Sequence, residues 1–285
     1  MPFVYHCTNV AIHLAVSSLV FALFVKLGYR RGLCFFFALL YTVHPVLTQA
    51  VAWVPGRNDS LLAAFVIASF LFFLKFLDSG SRRDYWAHLF FLLLALFTKE
   101  SALVLIAICY LYAAMIRTRA VFASVWRPLL AGHALIFVIW FIPRYFVTAG
   151  SDQTTLYDVW NLIVPQIPAV VQLIGKALFP VHQSVFPTMR DSSSLYGVVA
   201  IILIILCCVF FQKGSRRLSL FGMAWLVSFL LPPLIRSHAP VISDVLEHRL
   251  YLPIIGLMIV LMELSFVKEP SAAWRRWLAA AGAAI

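Results

Sequence analysis

The stretch that decides the fold is SLLAAFVIASFLFFLKFL, residues 60 to 77, in which Lys75 is the only charge. About 20 such residues cross the hydrocarbon core of a bilayer as a helix. Similar apolar runs lie at 8 to 26, 33 to 51, 128 to 147, 195 to 212, 218 to 235 and 250 to 267. Lipid forces backbone groups to pair within the protein, and these runs lack the alternation of barrel strands. The sequence therefore predicts an all-α, polytopic membrane protein.

The composition excludes a water-facing domain. Hydrophobic residues make up 63% of the chain and charged residues 12%, with a mean hydropathy of +0.96. The net charge of +11 would suit a nucleic-acid binder, but the Lys and Arg residues lie between the apolar runs and form no patch interleaved with aromatics. We therefore interpret them as topology signals and expect membrane lipid, and no nucleic acid, as a partner.

The cysteines give no sign of a metal centre. All five lie in apolar stretches without a CxxC motif or Cys/His ligand spacing, which predicts small buried hydrophobic side chains: Cys7, Cys34, Cys109, Cys207 and Cys208. We expect no disulfide framework, no metal and no cofactor from this pattern.

Clusters of basic residues predict the topology. They occur at Lys26/Arg30/Arg31, Arg82/Arg83, Arg117/Arg119/Arg127, Lys213/Arg216/Arg217 and Lys268/Arg275/Arg276. The positive-inside rule places every cluster in the cytoplasm. Each stretch between two clusters must then cross the membrane an even number of times.

That parity settles two ambiguous regions. Residues 85 to 116 would form one helix of about 48 Å, too long for a core of about 30 Å, so they are predicted to form a hairpin with its tip at residues 98 to 101. Residues 156 to 181 contain three prolines and Lys176 and are predicted to be re-entrant or interfacial on the outer side. The result is nine spans that start outside, with an incomplete tenth at 272 to 285. We expect a single transmembrane domain over 1–285, truncated at both ends.

Several ionisable residues collect on the predicted outer face. Lys99 and Glu100 lie at the hairpin tip, and ionisable residues at membrane depth are functional candidates by default. The alternative is an adjacent ion pair that only closes a tight turn. The segment from His44 to Asp59 ends one span and opens the next. There Asp59 or Asn58 can cap a helix beginning near Leu61, which is the alternative to a functional role for Asp59.

Two arginines on this face are suited to bind phosphate. Arg57 lies beside a predicted helix N-terminus, which is a favourable place for an anion. Glu247, His248 and Arg249 bring a carboxylate, an imidazole and a guanidinium together at the start of the last full span. The alternative for Arg249 is that of an interfacial anchor.

Four segments resemble a known family when they are taken in order. They are PFVYHCTNVAIHLAVSSLVFAL (2 to 23), HPVLTQAVAWVPGRNDSLLAAF (44 to 65), LFTKES (96 to 101) and EHRLYLPIIGL (247 to 257). The sequence resembles the membrane domain of the transmembrane and tetratricopeptide-repeat O-mannosyltransferases and their bacterial relatives. This resemblance implies a GT-C glycosyltransferase fold of about nine to ten transmembrane helices.

The resemblance also implies an activity. Such enzymes move a sugar from a polyprenyl-phosphate carrier to an acceptor hydroxyl on a protein or glycan, on the periplasmic face of a bacterial inner membrane or the luminal face of the endoplasmic reticulum. The acidic first outer loop and the repeats of the family are not found in this sequence. We expect that loop to supply the catalytic base in a longer protein.

The site residues follow from what this chemistry needs. A phosphate leaving group needs fixed cations, and an acceptor hydroxyl needs a carboxylate base. The predicted substrate-binding residues are Arg57, Lys99, Arg249, His44 and His248. The predicted acids, which serve as a base or orient one, are Glu100, Asp59 and Glu247. We expect Arg57, Lys99, Glu100 and Arg249 to be neighbours around one cavity.

Two other classes remain open on the sequence. A membrane transporter or lipid flippase would also use intramembrane charges and broken helices, although no internal repeat is visible here. An inactive fragment of a larger membrane protein would show the same pattern.

Overall fold

The computed structural model describes residues 2–149, 166–181, 183, 192–232 and 246–268, and every structural statement below concerns these residues. Within them the regular secondary structure is helical, and one isolated bridge joins Gln212 and Leu264. The α-helices, numbered along the described chain, are α1 Pro2–Lys26, α2 Arg31–Val43, α3 Thr48–Ala52, α4 Arg57–Ser79, α5 Arg82–Thr98, α6 Val104–Ile116, α7 Arg119–Thr148, α8 Ile167–Leu178, α9 Ser194–Phe210, α10 Arg216–Leu230, α11 Ile254–Met262 and α12 Ser265–Lys268. The all-α prediction is confirmed.

Three helices of the described chain are long and apolar enough to cross a membrane by themselves. They are Phe3–Lys26, Val54–Ser79 and Arg119–Thr148. The last has 30 residues, or about 45 Å at 1.5 Å per residue, and begins before the predicted run at 128 to 147. The other apolar helices are shorter, so the predicted count of nine spans stays a prediction.

The predicted span at 33 to 51 is broken. Helix α2 ends at Val43, and a 3₁₀ turn at Pro45–Leu47 leads into α3 with a bend of 51°. The physical reason is Pro45, because a proline disfavours helical backbone at the residue before it. His44 is extended there, and its side chain accepts a hydrogen bond from the backbone N–H of Val46 over 3.3 Å.

The predicted span at 250 to 267 is also wrong as one helix. Glu247–Leu250 forms a 3₁₀ turn, α11 covers only Ile254–Met262, and Glu263 separates it from the short α12. Glu263 is fully buried and collects three donors: the Tyr29 hydroxyl at 2.8 Å, the Ser215 backbone N–H at 2.6 Å and Lys268 Nζ at 2.7 Å. Burial, with the Glu263 carboxylate adding to it, raises the pKa of Tyr29 far above its usual value. This carboxylate ties α10 and α12 to the start of α2.

Residues 85 to 116 reverse direction as predicted, although not as a simple pair of touching arms. Helix α5 runs antiparallel to α4, with Ser69 opposite His88, and α6 returns along another side of α4, where Tyr112 packs on Phe70. The 3₁₀ turn Glu100–Leu103 joins α5 to α6. Both arms therefore pack against α4.

The ion pairs show which helix ends lie together. Lys26 at the end of α1 and Arg117 after α6 both contact Asp78 near the end of α4, at 2.5 and 2.6 Å. At the other end of α4, Lys99 contacts Asp59 at 2.8 Å. We call the end of the bundle around Asp78 the basic end, because Lys26 and Arg117 belong to the basic clusters. The end around Asp59 and Lys99 is the polar end.

The predicted interfacial segment at 156 to 181 is described only in part, because 156 to 165 lie outside the described residues. Its helix α8 has 12 residues, about 18 Å, which is too short to cross a core of about 30 Å. Lys176 on α8 bonds to Glu247, so α8 lies at the polar end. The incomplete span at 272 to 285 lies outside the described residues.

The cysteine prediction is right for two residues. Cys34 and Cys109 are buried, Cys207 and Cys208 are half-buried, and Cys7 is exposed. Cys7 is exposed because the first turns of α1 extend along the outside of the bundle, where lipid can accept an apolar thiol.

Candidate functional site

The centre of the candidate site is a pair between two helix ends. Lys99 Nζ donates to Asp59 Oδ1 at 2.8 Å, joining the residue after α5 to the first turn of α4. The Asp59 side chain is 12% exposed and that of Lys99 27%. The capping prediction for Asp59 and Asn58 is wrong, since α4 begins at Arg57 with Gly56 at the N-cap. An earlier start places Asp59 inside the first turn, where its carboxylate faces α5.

His248 joins this pair from the 3₁₀ turn Glu247–Leu250. Its Nε2 lies 3.8 Å from Asp59 Oδ2, and its ring stacks at a tilt against Trp53 with 5.5 Å between ring centroids. Gln49 on α3 accepts from the backbone N–H of His248 at 3.0 Å and contacts Nδ1 at 3.1 Å through the same oxygen. Asp59, Lys99, His248 and Gln49 form one contact group, which we call the central cluster.

A second pair holds the neighbouring turn in place. Lys176 Nζ on α8 donates to Glu247 Oε1 at 2.7 Å, and each side chain is 3% exposed. The Glu247 side chain therefore already has a donor partner from α8, in a contact that is shielded from water. This geometry is that of a structural carboxylate rather than a base.

Arg57 points to α1 rather than to the central cluster. Its Nε donates to Asn9 Oδ1 at 2.7 Å and its Nη2 to the Tyr5 carbonyl at 3.2 Å, while the guanidinium lies 5.5 Å from the centre of the Tyr5 ring. Asn9 also donates to the Val51 carbonyl at 2.9 Å. Arg57 thus connects α1 to the start of α4, and Asn9 connects α1 to α3.

Glu100 lies next to Lys99 in sequence but has a different partner. Its carboxylate is 60% exposed and lies 3.6 Å from Arg144 near the end of α7. The alternative of a simple Lys99–Glu100 pair at the tip is not what the structure contains, because each residue pairs with another helix. The backbone at Lys99 is extended, which directs consecutive side chains apart.

Arg249 and His44 complete the predicted set. Arg249 is 4% exposed and belongs to the same turn as His248. His44 lines a cavity of about 420 Å³ between α1 and the bend that leads to α3, together with His6, His13 and Thr48. Of the predicted site residues, only His44 lines this cavity. The four residues expected to be neighbours share the polar end, but of these only Lys99 belongs to the central cluster. Arg57 and Glu100 lie in separate contact groups, and Arg249 follows His248 in the Glu247–Leu250 turn.

Sequence reasoning did not assign three residues of this site. Gln49, Lys176 and Asn9 make hydrogen bonds between segments distant in sequence. Lys176 carried a usable signal, since it is an ionisable residue in an apolar stretch of sequence just as Lys99 is. Gln49 and Asn9 gave a weaker signal, because an amide in an apolar run does not reveal its partner.

The described residues contain no group of three or more His, Cys, Asp or Glu side chains placed to hold a metal ion.

Comparison with known proteins gives the following relatives. Protein O-mannosyl-transferase TMTC1 of Mus musculus is 36% identical over 122 residues, which are 39% of this chain and 13% of the relative. Protein O-mannosyl-transferase F38B6.6 of Caenorhabditis elegans is 26% identical over 281 residues, 90% of this chain and 38% of the relative. Protein O-mannosyl-transferase TMTC4 of Homo sapiens is 33% identical over 109 residues, 34% of this chain and 15% of the relative. The chain thus spans well under half the length of these relatives. No protein-family model matches the chain. No solved structure matches it.

Proposed function

Because the chain is related to the protein O-mannosyl-transferases, as its sequence motifs predicted, we propose that it is a membrane glycosyltransferase or a part of one. It moves a sugar from a polyprenyl-phosphate carrier to an acceptor hydroxyl of a protein or glycan. The polar end is the extracytoplasmic face, and the bundle is a single GT-C-like domain of about nine to ten spans. Its membrane is the endoplasmic reticulum or a bacterial inner membrane.

One observation carries this proposal: the four motif segments meet at the polar end. Asn9 of the first segment bonds to Arg57 of the second, and Asp59 of the second bonds to Lys99 of the third. His248 of the fourth segment bonds to Gln49 of the second. Residues that are up to 199 positions apart and lie in the segments of the family resemblance are therefore joined by direct contacts. Purely structural motifs would not need to gather their charged side chains at one end.

The polar end supplies what the reaction needs. The acceptor hydroxyl gives its proton to a carboxylate base as its oxygen bonds to the anomeric carbon. The bond from that carbon to the phosphate oxygen breaks, and the phosphate leaves with the electron pair. Lys99 and Arg249 provide positive charge for the phosphate at partly desolvated positions, where charge-assisted hydrogen bonds are strong. Arg57 is a third cation, and His44 and His248 line the approach. Asp59 is the acid of this set that lies within the central cluster.

The experiment is a transfer assay with the membrane-reconstituted chain, a mannosyl polyprenyl phosphate and a hydroxyl-bearing peptide. Replacing Lys99 by Met removes one charge-assisted contact to phosphate, about 1.5 to 3 kcal/mol, and should lower donor affinity about 10- to 150-fold. Lys75→Met is the matched control, because Lys75 lies on the same helix as Asp59 but towards the basic end, over the Phe72 ring.

Donor binding is measured separately from transfer, by retention of radiolabelled donor on the reconstituted protein. Binding that Lys99→Met weakens and Lys75→Met does not is the expected result. Equal binding by the wild type and both variants would contradict a phosphate site at Lys99. Movement of labelled carrier between leaflets without sugar transfer would replace this proposal by a flippase.

A further inference from the structure

Gln49 makes two hydrogen bonds whose combined geometry fixes a proton position. The backbone N–H of His248 lies 3.0 Å from Gln49 Oε1 and is always a donor, so the atom facing it must be the amide oxygen. This contact settles the orientation of the Gln49 amide, which otherwise has to be assigned by choice.

The position of the hydrogen on the His248 imidazole follows from that orientation of the Gln49 amide. Nδ1 of His248 lies 3.1 Å from the same oxygen, which has no hydrogen to donate. Nδ1 must therefore carry the hydrogen, and Nε2 is the nitrogen turned towards Asp59 Oδ2 at 3.8 Å. The tilted contact with Trp53, at 5.5 Å between ring centroids, packs against one face of the ring and supports this orientation.

We propose that Gln49 is a positioning residue that holds His248 in its Nδ1-protonated form, with Nε2 directed at the Asp59 carboxylate. Lys99 Nζ approaches the other oxygen of that carboxylate, so Asp59 lies between two nitrogen groups from different segments. A proton that reaches Nε2 is then stabilised by the nearby carboxylate. The role in sugar transfer rests on the proposed function, whereas the proton position does not.

The burial of the group supports a defined proton position. Gln49 is 8% exposed and His248 7%, so water has little access to exchange the bonds of Nδ1. A buried donor left without an acceptor is costly, which disfavours any form of His248 that loses the Gln49 bond. The α3 helix and the Glu247–Leu250 turn are held together by the same two bonds.

The test is nitrogen-15 solid-state NMR of the whole chain, labelled at histidine and reconstituted in lipid. The His248 signal is assigned by difference from His248→Asn. We expect a protonated Nδ1 in the wild type, the same in Gln49→Glu, which keeps an acceptor oxygen, and a mixture of forms in Gln49→Leu. Gln49→Asn, whose oxygen is withdrawn by one methylene, serves as a second weakened variant should Gln49→Leu fail to fold.

A wild-type signal with the proton on Nε2 and none on Nδ1 would overturn the proposal, and so would a spectrum unchanged in Gln49→Leu and Gln49→Asn. In the transfer assay, loss of one such bond predicts a turnover about three- to tenfold lower in Gln49→Leu, with the KM for the donor nearly unchanged and recovery in Gln49→Glu. If the NMR result is as expected but the protein transfers no sugar, the proposed function is contradicted and the positioning role of Gln49 remains.

Discussion

The buried pair between Lys176 and Glu247 allows the sharpest test of how the polar end is built. We consider Glu247→Gln, which keeps the size of the side chain and removes its charge. Both side chains are 3% exposed and the contact is 2.7 Å, so the ammonium of Lys176 would lose a carboxylate that water cannot replace. Breaking a buried pair on one side costs about 3 to 5 kcal/mol. We therefore expect the free energy of unfolding to fall by about that amount.

The double variant Lys176→Met with Glu247→Gln is the matched comparison. It removes both charges, and a buried ion pair replaced by neutral groups of similar volume is often close to neutral in stability. We expect it to recover most of the stability lost in Glu247→Gln. The assay is denaturant unfolding of the protein in mixed micelles, followed by circular dichroism.

Two results would refute this reasoning. A Glu247→Gln variant within about 1 kcal/mol of the wild type would mean that the Lys176 ammonium is stabilised without the Glu247 carboxylate. A double variant as unstable as the single one would mean that the packing of α8, rather than its charge, holds the turn. The transfer rate of the stable double variant then distinguishes a structural carboxylate from a base.

Two further predictions concern the packing of the helices. His88 and His133 are buried with their Nε2 atoms 2.9 Å apart, so His133→Leu should lower the free energy of unfolding by about 1 to 3 kcal/mol. Adding His88→Leu to that variant should cost much less, whereas additive losses in a double-mutant cycle would show that the two residues are not coupled. A Cβ at Gly222 would lie 2.7 Å from the Gly256 carbonyl oxygen, so Gly222→Ala should destabilise the protein by about 1 to 3 kcal/mol. Gly32 has open space around it, so the control Gly32→Ala should lose no stability. Equal effects of the two substitutions on unfolding would contradict the close approach of α10 and α11.

Hydropathy predicted the long helices well because their apolar runs are uninterrupted. The run at 60 to 77 lies within α4, and the run at 8 to 26 lies within α1. It failed where a single residue changes the backbone inside an apolar run, as at Pro45 and at Glu263. Hydropathy averaged over about 20 residues conceals one proline or one buried carboxylate. Each of these two broken segments was therefore predicted as one continuous span.

The sequence predicted on which face of the protein the site residues lie, but not which side chains pair with each other. Lys99 was found because an ionisable residue in an apolar run is costly and needs a partner. Its partner, Asp59, was among the predicted acids, yet nothing in the sequence indicated that the two residues pair. Which helices pack side by side decides such pairings, and that depends on the whole bundle. For the same reason Gln49 was not assigned.

The central claim is that the polar end binds the phosphate of a lipid-linked sugar. The most direct measurement is photo-crosslinking with a polyprenyl phosphate sugar whose reactive group lies beside the phosphate, followed by mass spectrometry of the modified peptides. The account predicts adducts at residues 57 to 59, 99 and 247 to 249, reduced by unmodified donor. Adducts confined to the basic end around Arg82 and Arg117, or spread along α7 and unaffected by unmodified donor, would contradict it.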